Sequence, residues 1–256
     1  MQPVISKPSS REVQSLRTAL DIVSLIQDFD GATMSELVSQ MDIAKSTVYN
    51  YLGTLQSMGY VVERNGTYRL GLRFLTHGMA ARSALALEEP MQGVLQSVME
   101  AVDLPVWWVV EEQGRGLFVH SSLPTGTSPT FGRVGKRSYL HAHAPGKAIL
   151  ASLSDEAIAD VVDVHGLPAY TNETISETET LFETIAAIRE RGFATSEDEC
   201  ALGIRSVGIG FSGPDGGNHA IGTFSHVHDV GKRDAEIGSI LEHELSSVDE
   251  LDGIEG

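Results

Sequence analysis

Two groups of side chains in this sequence are spaced so that they could do chemistry. The first is Lys45-Ser46-Thr47 with Tyr49 and Asn50. A carboxamide such as Asn50 offers a donor beside an acceptor, the pattern that meets N6 and N7 of adenine. Ser46 and Thr47 can reach bases or phosphates. A lysine ammonium pairs with phosphate and so positions a protein without specifying sequence. Arg64 and Arg69 flank an Asn65-Gly66 pair and could grip a nucleic-acid backbone or a minor groove. The second group is made of hydroxyls. Thr223 and Ser225 are two apart, as are Ser206, Gly208 and Gly210. In extended chain each set shares one face, and glycines beside a hydroxyl leave room for a small ligand.

These groups need elements to hold them. Leu16, Leu20, Val23 and Ile26 recur at helical spacing over about 10–27. Thr33 and Glu36 form a capping-box pattern before Leu37, Val38 and Met41, which opens a short second helix. After a turn at 42–44, Val48, Leu52 and Leu55 define a third helix from 45 to 58, ended by Gly59. Its outer side then carries Ser46, Tyr49, Asn50 and Gly53. Two extended runs around Asn65-Gly66 predict a hairpin. Three helices and a hairpin in that order make a winged helix-turn-helix, over 10–71. Residues 72–87 read as a linker helix.

From 88 to 252 the pattern mixes. Strands are expected at 106–112, 116–121, 137–141, 193–197, 204–211 and 218–228. Helices are expected after Pro90 and at 145–152, 154–163, 177–191 and 233–250, with a second capping box, Ser176 with Glu179, before the helix at 177–191. The fold class is mixed α/β (α+β): a winged helix-turn-helix followed by an antiparallel-sheet domain.

The charge of −17 argues against nucleic acid when taken whole. Its distribution does not. Residues 1–82 carry 8 Lys/Arg against 7 Asp/Glu, and the acidic excess lies beyond them. With 5 Lys, 13 Arg and many carboxylates, the surface suits concentrated salt and points to a halophilic, archaeal source. No apolar stretch approaches a membrane span and the N-terminus lacks a signal-peptide core, so a cytoplasmic protein without a membrane partner is expected. One cysteine, Cys200, excludes an internal disulfide framework.

In these features the chain resembles the IclR family of transcriptional regulators. The resemblance is carried by Ala19-Leu20-Asp21-Ile22-Val23, Lys45-Ser46-Thr47-Val48-Tyr49, Gly59-Tyr60-Val61 and Tyr68-Arg69-Leu70-Gly71. It continues through Leu140-His141-Ala142, Pro145-Gly146-Lys147-Ala148-Ile149-Leu150-Ala151, Thr171 with Thr174-Ile175, Arg191-Gly192-Phe193-Ala194 and Glu197-Asp198-Glu199. It implies a GAF-like effector domain, a homodimer or dimer of dimers, and a near-palindromic double-stranded DNA operator. It also implies a small organic acid or sugar-derived metabolite as effector, and control of a catabolic operon. Positions matching ligand-contacting residues of the family are Ser196, Ser206, Thr223 and Ser225. The loop through Ala142, His143, Ala144 and Gly146 matches the opposite wall, where amides at a helix start could hold a carboxylate. The family commonly has arginine where Asn50 stands, often aspartate at Ser196 and, in some members, cysteine at Ser206.

Other chemistries fit less well. Gly146-Lys147 lacks the earlier glycine and following Ser/Thr of a phosphate loop. His141 with His143, and His226 with His228, are pairs where zinc needs three or four ligands, so no metal or cofactor is expected. Cys200 sits among carboxylates that oppose thiolate formation, and no G-x-S-x-G elbow occurs; an enzyme is not expected. A sensing or enzymatic domain joined to a protein-interaction winged helix remains the alternative.

Overall fold

A computed structural model of the chain describes residues 12–252, and side chains as far as residue 246. The chain divides into two compact units between Leu85 and Ala86.

The first unit runs α1 (Gln14–Asp28), β1 (Ala32–Thr33), α2 (Met34–Gln40), α3 (Lys45–Ser57), β2 (Val61–Arg64), β3 (Thr67–Leu70) and α4 (Arg73–Ser83). The first residues of the helix expected from 10 lie outside the described residues. Thr33 caps α2 as its spacing predicts, with Glu36 completing the reciprocal bonds. Asn65 and Gly66 both take positive φ, 54° and 80°, as a two-residue hairpin turn requires. The three strands pair antiparallel in the order β1-β3-β2. Ile22, Ile26, Leu37, Val48, Leu52 and Val61 form the core.

The face of α1 differs from expectation. Thr18, Ile22 and Ile26 are buried, whereas Leu16 and Leu20 stand 61% and 53% exposed. α1 carries two apolar stripes, and the one used is spaced at i, i+4, i+8. Thr18 can join it because its hydroxyl donates to Gln14 O at 2.9 Å. The helix expected over 72–87 is shorter: α4 ends at Ser83, and the next helix begins only at Glu88. α4 buries no residue, and Leu75 and Met79 on it are exposed. Its start is nevertheless fixed to the head. Gly71 N donates to Tyr60 O at 2.7 Å, Arg73 bonds Met58 O, and Tyr60 packs on Phe74 and hydrogen-bonds His77.

The second unit runs α5 (Glu88–Val102), β4 (Val106–Glu112), β5 (Arg115–Ser122), β6 (Arg137–Tyr139), a 3-10 turn (Leu140–Ala142), α6 (Ala144–Ser152), α7 (Asp155–His165), α8 (Thr178–Arg191), β7 (Ala194–Glu197), β8 (Ile204–Ser212), β9 (Asn218–His226), α9 (Val227–Val230) and α10 (Asp234–Asp252). Its six strands are antiparallel in the order β6-β5-β4-β9-β8-β7. α6 lies on one face with α8 behind it; α5 and α10 pair on the other. Three expectations shift. The strand expected to reach 228 stops at His226, and the one expected to reach 141 gives way to the 3-10 turn. α8 starts after Glu177 with no side-chain cap, which leaves Ser176 before the N-cap and Glu179 too early in the first turn to close a box.

Candidate functional site

α3 is amphipathic by simple spacing. Val48 and Leu52 point into the core, which turns Lys45, Ser46, Tyr49 and Asn50 outward, all exposed, with Thr47 half-buried. The residue before the helix is Ala44, which has no side chain to cap with. Thr47 N donates to Ala44 O at 2.8 Å, which leaves the Lys45 and Ser46 amides uncapped by any side chain, donors of the kind that phosphate groups use at helix starts. No acidic side chain stands in the first turn to repel them. Arg64 is at the hairpin tip, opposite Thr67, and exposed. Arg69 is not beside it. It pairs with Val62, further from the tip, and donates to Asp30 O at 2.7 Å with the Asp30 carboxylate 3.9 Å away. Arg69 therefore fixes the hairpin to the end of α1, which is a structural use of the side chain.

In the second unit the register decides which hydroxyls can act together. Ser196 pairs with Ser206, and Ser206 with Phe224. Directly opposed residues share a face, and Phe224 belongs to the core cluster with Ala144 and Ala148 of α6. Ser196 and Ser206 thus lie under α6. Thr223 pairs with Val207 and Ser225 with Arg205, so both lie on the opposite face. There Arg205 bonds Asp234 at the start of α10, and Ser225 donates to Asp229 at 2.9 Å. The expected union of Thr223 and Ser225 with Ser206 in one pocket is corrected: a single-residue step along β9 reverses the face.

The glycines beside Ser206 do not leave open space either. A Cβ on Gly208 would stand 2.8 Å from Pro145 N, and one on Gly210 2.5 Å from Ala148 O. They let α6 lie directly on β8.

The start of α6 is similarly filled. Ala144 N donates to Ser206 Oγ at 3.0 Å, Pro145 has no N–H, Gly146 N donates to His143 Nδ1 at 3.0 Å, and Lys147 N donates to His143 O. Every amide that might have held a carboxylate has a partner, which corrects that expectation. Ala142 sits buried in the 3-10 turn just before. His143 is fixed as one neutral tautomer. Ser138 Oγ donates to Gly116 O, so it accepts from His143 Nε2–H at 2.7 Å, while Nδ1 accepts from Gly146. Burial, reinforced by Lys136 and Lys147, holds the imidazole pKa down to about 3.

What remains for a ligand on this face are donors and one acceptor. Ser196 Oγ, Trp107 Nε1 and Glu199 Oε2 are buried without a hydrogen bond. Ser196 lies near enough to Glu199 to lower its carboxyl pKa without a well-formed bond. Glu199 Oε1 accepts from Lys147 Nζ at 2.6 Å in a buried ion pair. Burial presses each member toward its neutral form, Lys147 down and Glu199 up, and their contact opposes it. Phe118, Phe131 and Phe224 give an aromatic wall. The sequence reading missed Trp107, Lys147 and Glu199. A lysine and a glutamate 52 residues apart give no local sign that they meet, and in the Val106–Val110 run the indole N–H is hidden among apolar neighbours. Cys200 is buried, and burial pushes its thiol up to about 12.

The histidine pairs do not form ligand sets. His141 lies in the 3-10 turn and donates to Pro168 O, while His143 is occupied as described. His226 ends β9 and His228 lies in α9. Among the described residues no group of three His, Cys, Asp or Glu side chains is placed to hold a metal. No helix among them is long and apolar enough to cross a membrane.

Residues 15–65 match the family described as "IclR helix-turn-helix domain", and residues 79–237 match "Bacterial transcriptional regulator IclR C-terminal". The chain is 30% identical over 212 residues to the "Transcriptional repressor IclR" of Escherichia coli, covering 80% of this chain and 76% of that one. It is 27% identical over 207 residues to a "Probable HTH-type transcriptional regulator ArcR" of Halobacterium salinarum, covering 79% of each. The fold superposes on a crystal structure of an IclR homolog from Microbacterium hydrocarbonoxydans complexed with 4-hydroxybenzoate, with a TM-score of 0.71 at 18% identity, covering 91% of this chain and 99% of that one.

Proposed function

The chain belongs to the IclR family of transcriptional regulators, and from that premise we propose that it reads a near-palindromic operator as a homodimer or dimer of dimers, under control of a small organic acid. The single observation that carries the DNA reading is α3: an exposed Lys45, Ser46, Tyr49 and Asn50 on a helix whose first amides have no side-chain cap. Asn50 reads a base; Lys45, Ser46, Thr47 and Arg64 hold phosphate. The exposed stripes of Leu16 with Leu20 on α1 and Leu75 with Met79 on α4 are apolar surface that a second copy would cover. The acid-rich, lysine-poor composition supports a halophilic source, and the operator controlled is a catabolic one. Regulators of this kind act in the cytoplasm.

The effector site is the α6 face of the C-terminal unit. A carboxylate there would accept from Ser196, Ser206 and Trp107, and a hydroxyl or amine on the same molecule would donate to Glu199. Effector control requires different affinity for the DNA-competent and incompetent arrangements, and operator and effector then change each other's affinity by the same factor. The test is a titration of the full chain against DNA upstream of its own gene, over a salt series with scrambled competitor, followed by a screen of small acids for a change in operator affinity. Protection of a near-palindromic site, lost effector response in Ser206→Leu and retained operator binding in that variant are expected. Equal competition by scrambled DNA at every salt concentration would refute the operator reading.

A further inference from the structure

Residues 123–136 join β5 to β6 across the α6 face. The far end is tied to the sheet: Gly135 N donates to Phe118 O at 2.8 Å, and Phe118 N donates to Lys136 O at 2.9 Å. Residues 125–130 are exposed. Among the described residues, no backbone–backbone hydrogen bond joins 124–132 to the rest of the unit. Phe131 and Gly132 hold this stretch down; Phe131 also meets the Phe118 and His143 rings, and Lys136 Nζ donates to Phe131 O at 3.0 Å. Phe131 stacks on Phe224 with ring centroids 5.2 Å apart and planes 22° from parallel. Gly132 sits so close on the Trp107 indole that a Cβ there would be 2.5 Å from its ring. The Thr130 hydroxyl reaches Phe224 O only at 3.5 Å. Beneath this stretch lies Trp107 Nε1, buried with no acceptor. A hidden donor left unmatched, beside Ser196 Oγ and Glu199 Oε2 on the same face, calls for an explanation.

We propose that residues 124–135 are a hinged cover on the α6 face and that Phe131 is its plug. In the unliganded protein the Phe131 ring occupies the place that the apolar part of the effector takes. The cover moves about Gly126 and Gly135, both at positive φ, and opening frees the stacking face of Phe224 together with Trp107 Nε1. The effector that replaces Phe131 therefore presents a flat apolar part to Phe224 and an acceptor oxygen to the indole. Phe131 thus competes with the effector from within the chain and sets the affinity at which it responds. The proposal rests on the α6 face being the effector site.

Acrylamide quenching of Trp107 in a Trp108→Phe chain tests the cover without any ligand. Adding Phe131→Ala should raise the quenching constant several-fold. The same substitution in a Trp107→Phe chain should leave Trp108, on the other face, unchanged. Because Trp108 is itself buried and bonded to His219, hydrogen exchange on the natural chain provides the second measurement. Amides of 125–132 should exchange far faster than those of β4 and β5. Unchanged quenching on Phe131→Ala, or exchange of 125–132 as slow as that of β5, would overturn the proposal. The effector reading fails separately, through the operator response of Ser206→Leu; a mobile cover with no effector response would remove that reading alone.

Discussion

Lowering the pH from 7 to 5 should cost the C-terminal unit about 2 kcal/mol of stability through His143 alone. The imidazole is fully buried, accepts from Gly146 N and donates to Ser138, so its neutral form is built into the start of α6. Its pKa is near 3 in the folded protein against an ordinary value of 6.5. Above pH 6.5 both states hold neutral histidine and nothing is linked to protons. Below it the unfolded chain binds a proton that the folded chain refuses, and stability falls as pH falls, until about pH 3. At 1.36 kcal/mol per unit, the step from 6.5 to 5 gives about 2 kcal/mol, and any folded value well below 5 gives nearly the same figure. Both tryptophans of the chain, Trp107 and Trp108, lie in β4, so urea unfolding followed by tryptophan fluorescence reports this unit and not the head. The comparison that isolates the histidine is His143→Gln, which should be less stable at pH 7 but lose about 2 kcal/mol less than the natural chain on going to pH 5. Equal losses in the two proteins would refute the assignment of a neutral, proton-refusing His143.

Four further single substitutions test the sites. Lys147→Met should destabilise the same unit by about 3–5 kcal/mol, because it leaves Glu199 buried and unpaired, and adding Glu199→Leu should recover much of that loss; urea midpoints of the single and double variants check both. Asn50→Ala should cost about 1–3 kcal/mol of discrimination at one base position, read by operator binding with base substitutions, and unchanged selectivity would move base reading elsewhere. Arg64→Ala should weaken binding to all sequences alike and lower the salt slope by about 1, whereas Arg69→Ala should lower the unfolding temperature of the head by loosening the hairpin from Asp30.

Where local chemistry decides the structure, the sequence could be read directly. Thr33 with Glu36, Asn65-Gly66 and the Val48-Leu52 stripe each act through neighbours within a turn, and each predicts its element. The exposed face of α3 follows, since it is whatever the buried stripe leaves outside. The effector region depends instead on register between strands distant in sequence. Thr223 and Phe224 differ by one step along β9 and by a whole face of the sheet, and alternation alone cannot say which step faces α6. The same holds for α1, where two apolar stripes compete and only the packing partner chooses between Leu20 and Ile22. Lys147 and Glu199 meet through the crossing of α6 over the β7–β8 connection, which no periodicity announces. The amides at the start of α6 invited an anion in the sequence. Ser206 and His143 had already taken them.

The lone thiol of Cys200, buried and held far from ionisation, makes the chain a near-ideal host for site-specific labelling. A cysteine introduced at an exposed position such as Tyr49 or Leu75 would be the sole reactive sulfur, with no need to remove the natural one. Paired spin labels placed in this way would give distances between two copies on DNA, and their change on adding a small acid would measure the regulatory motion directly.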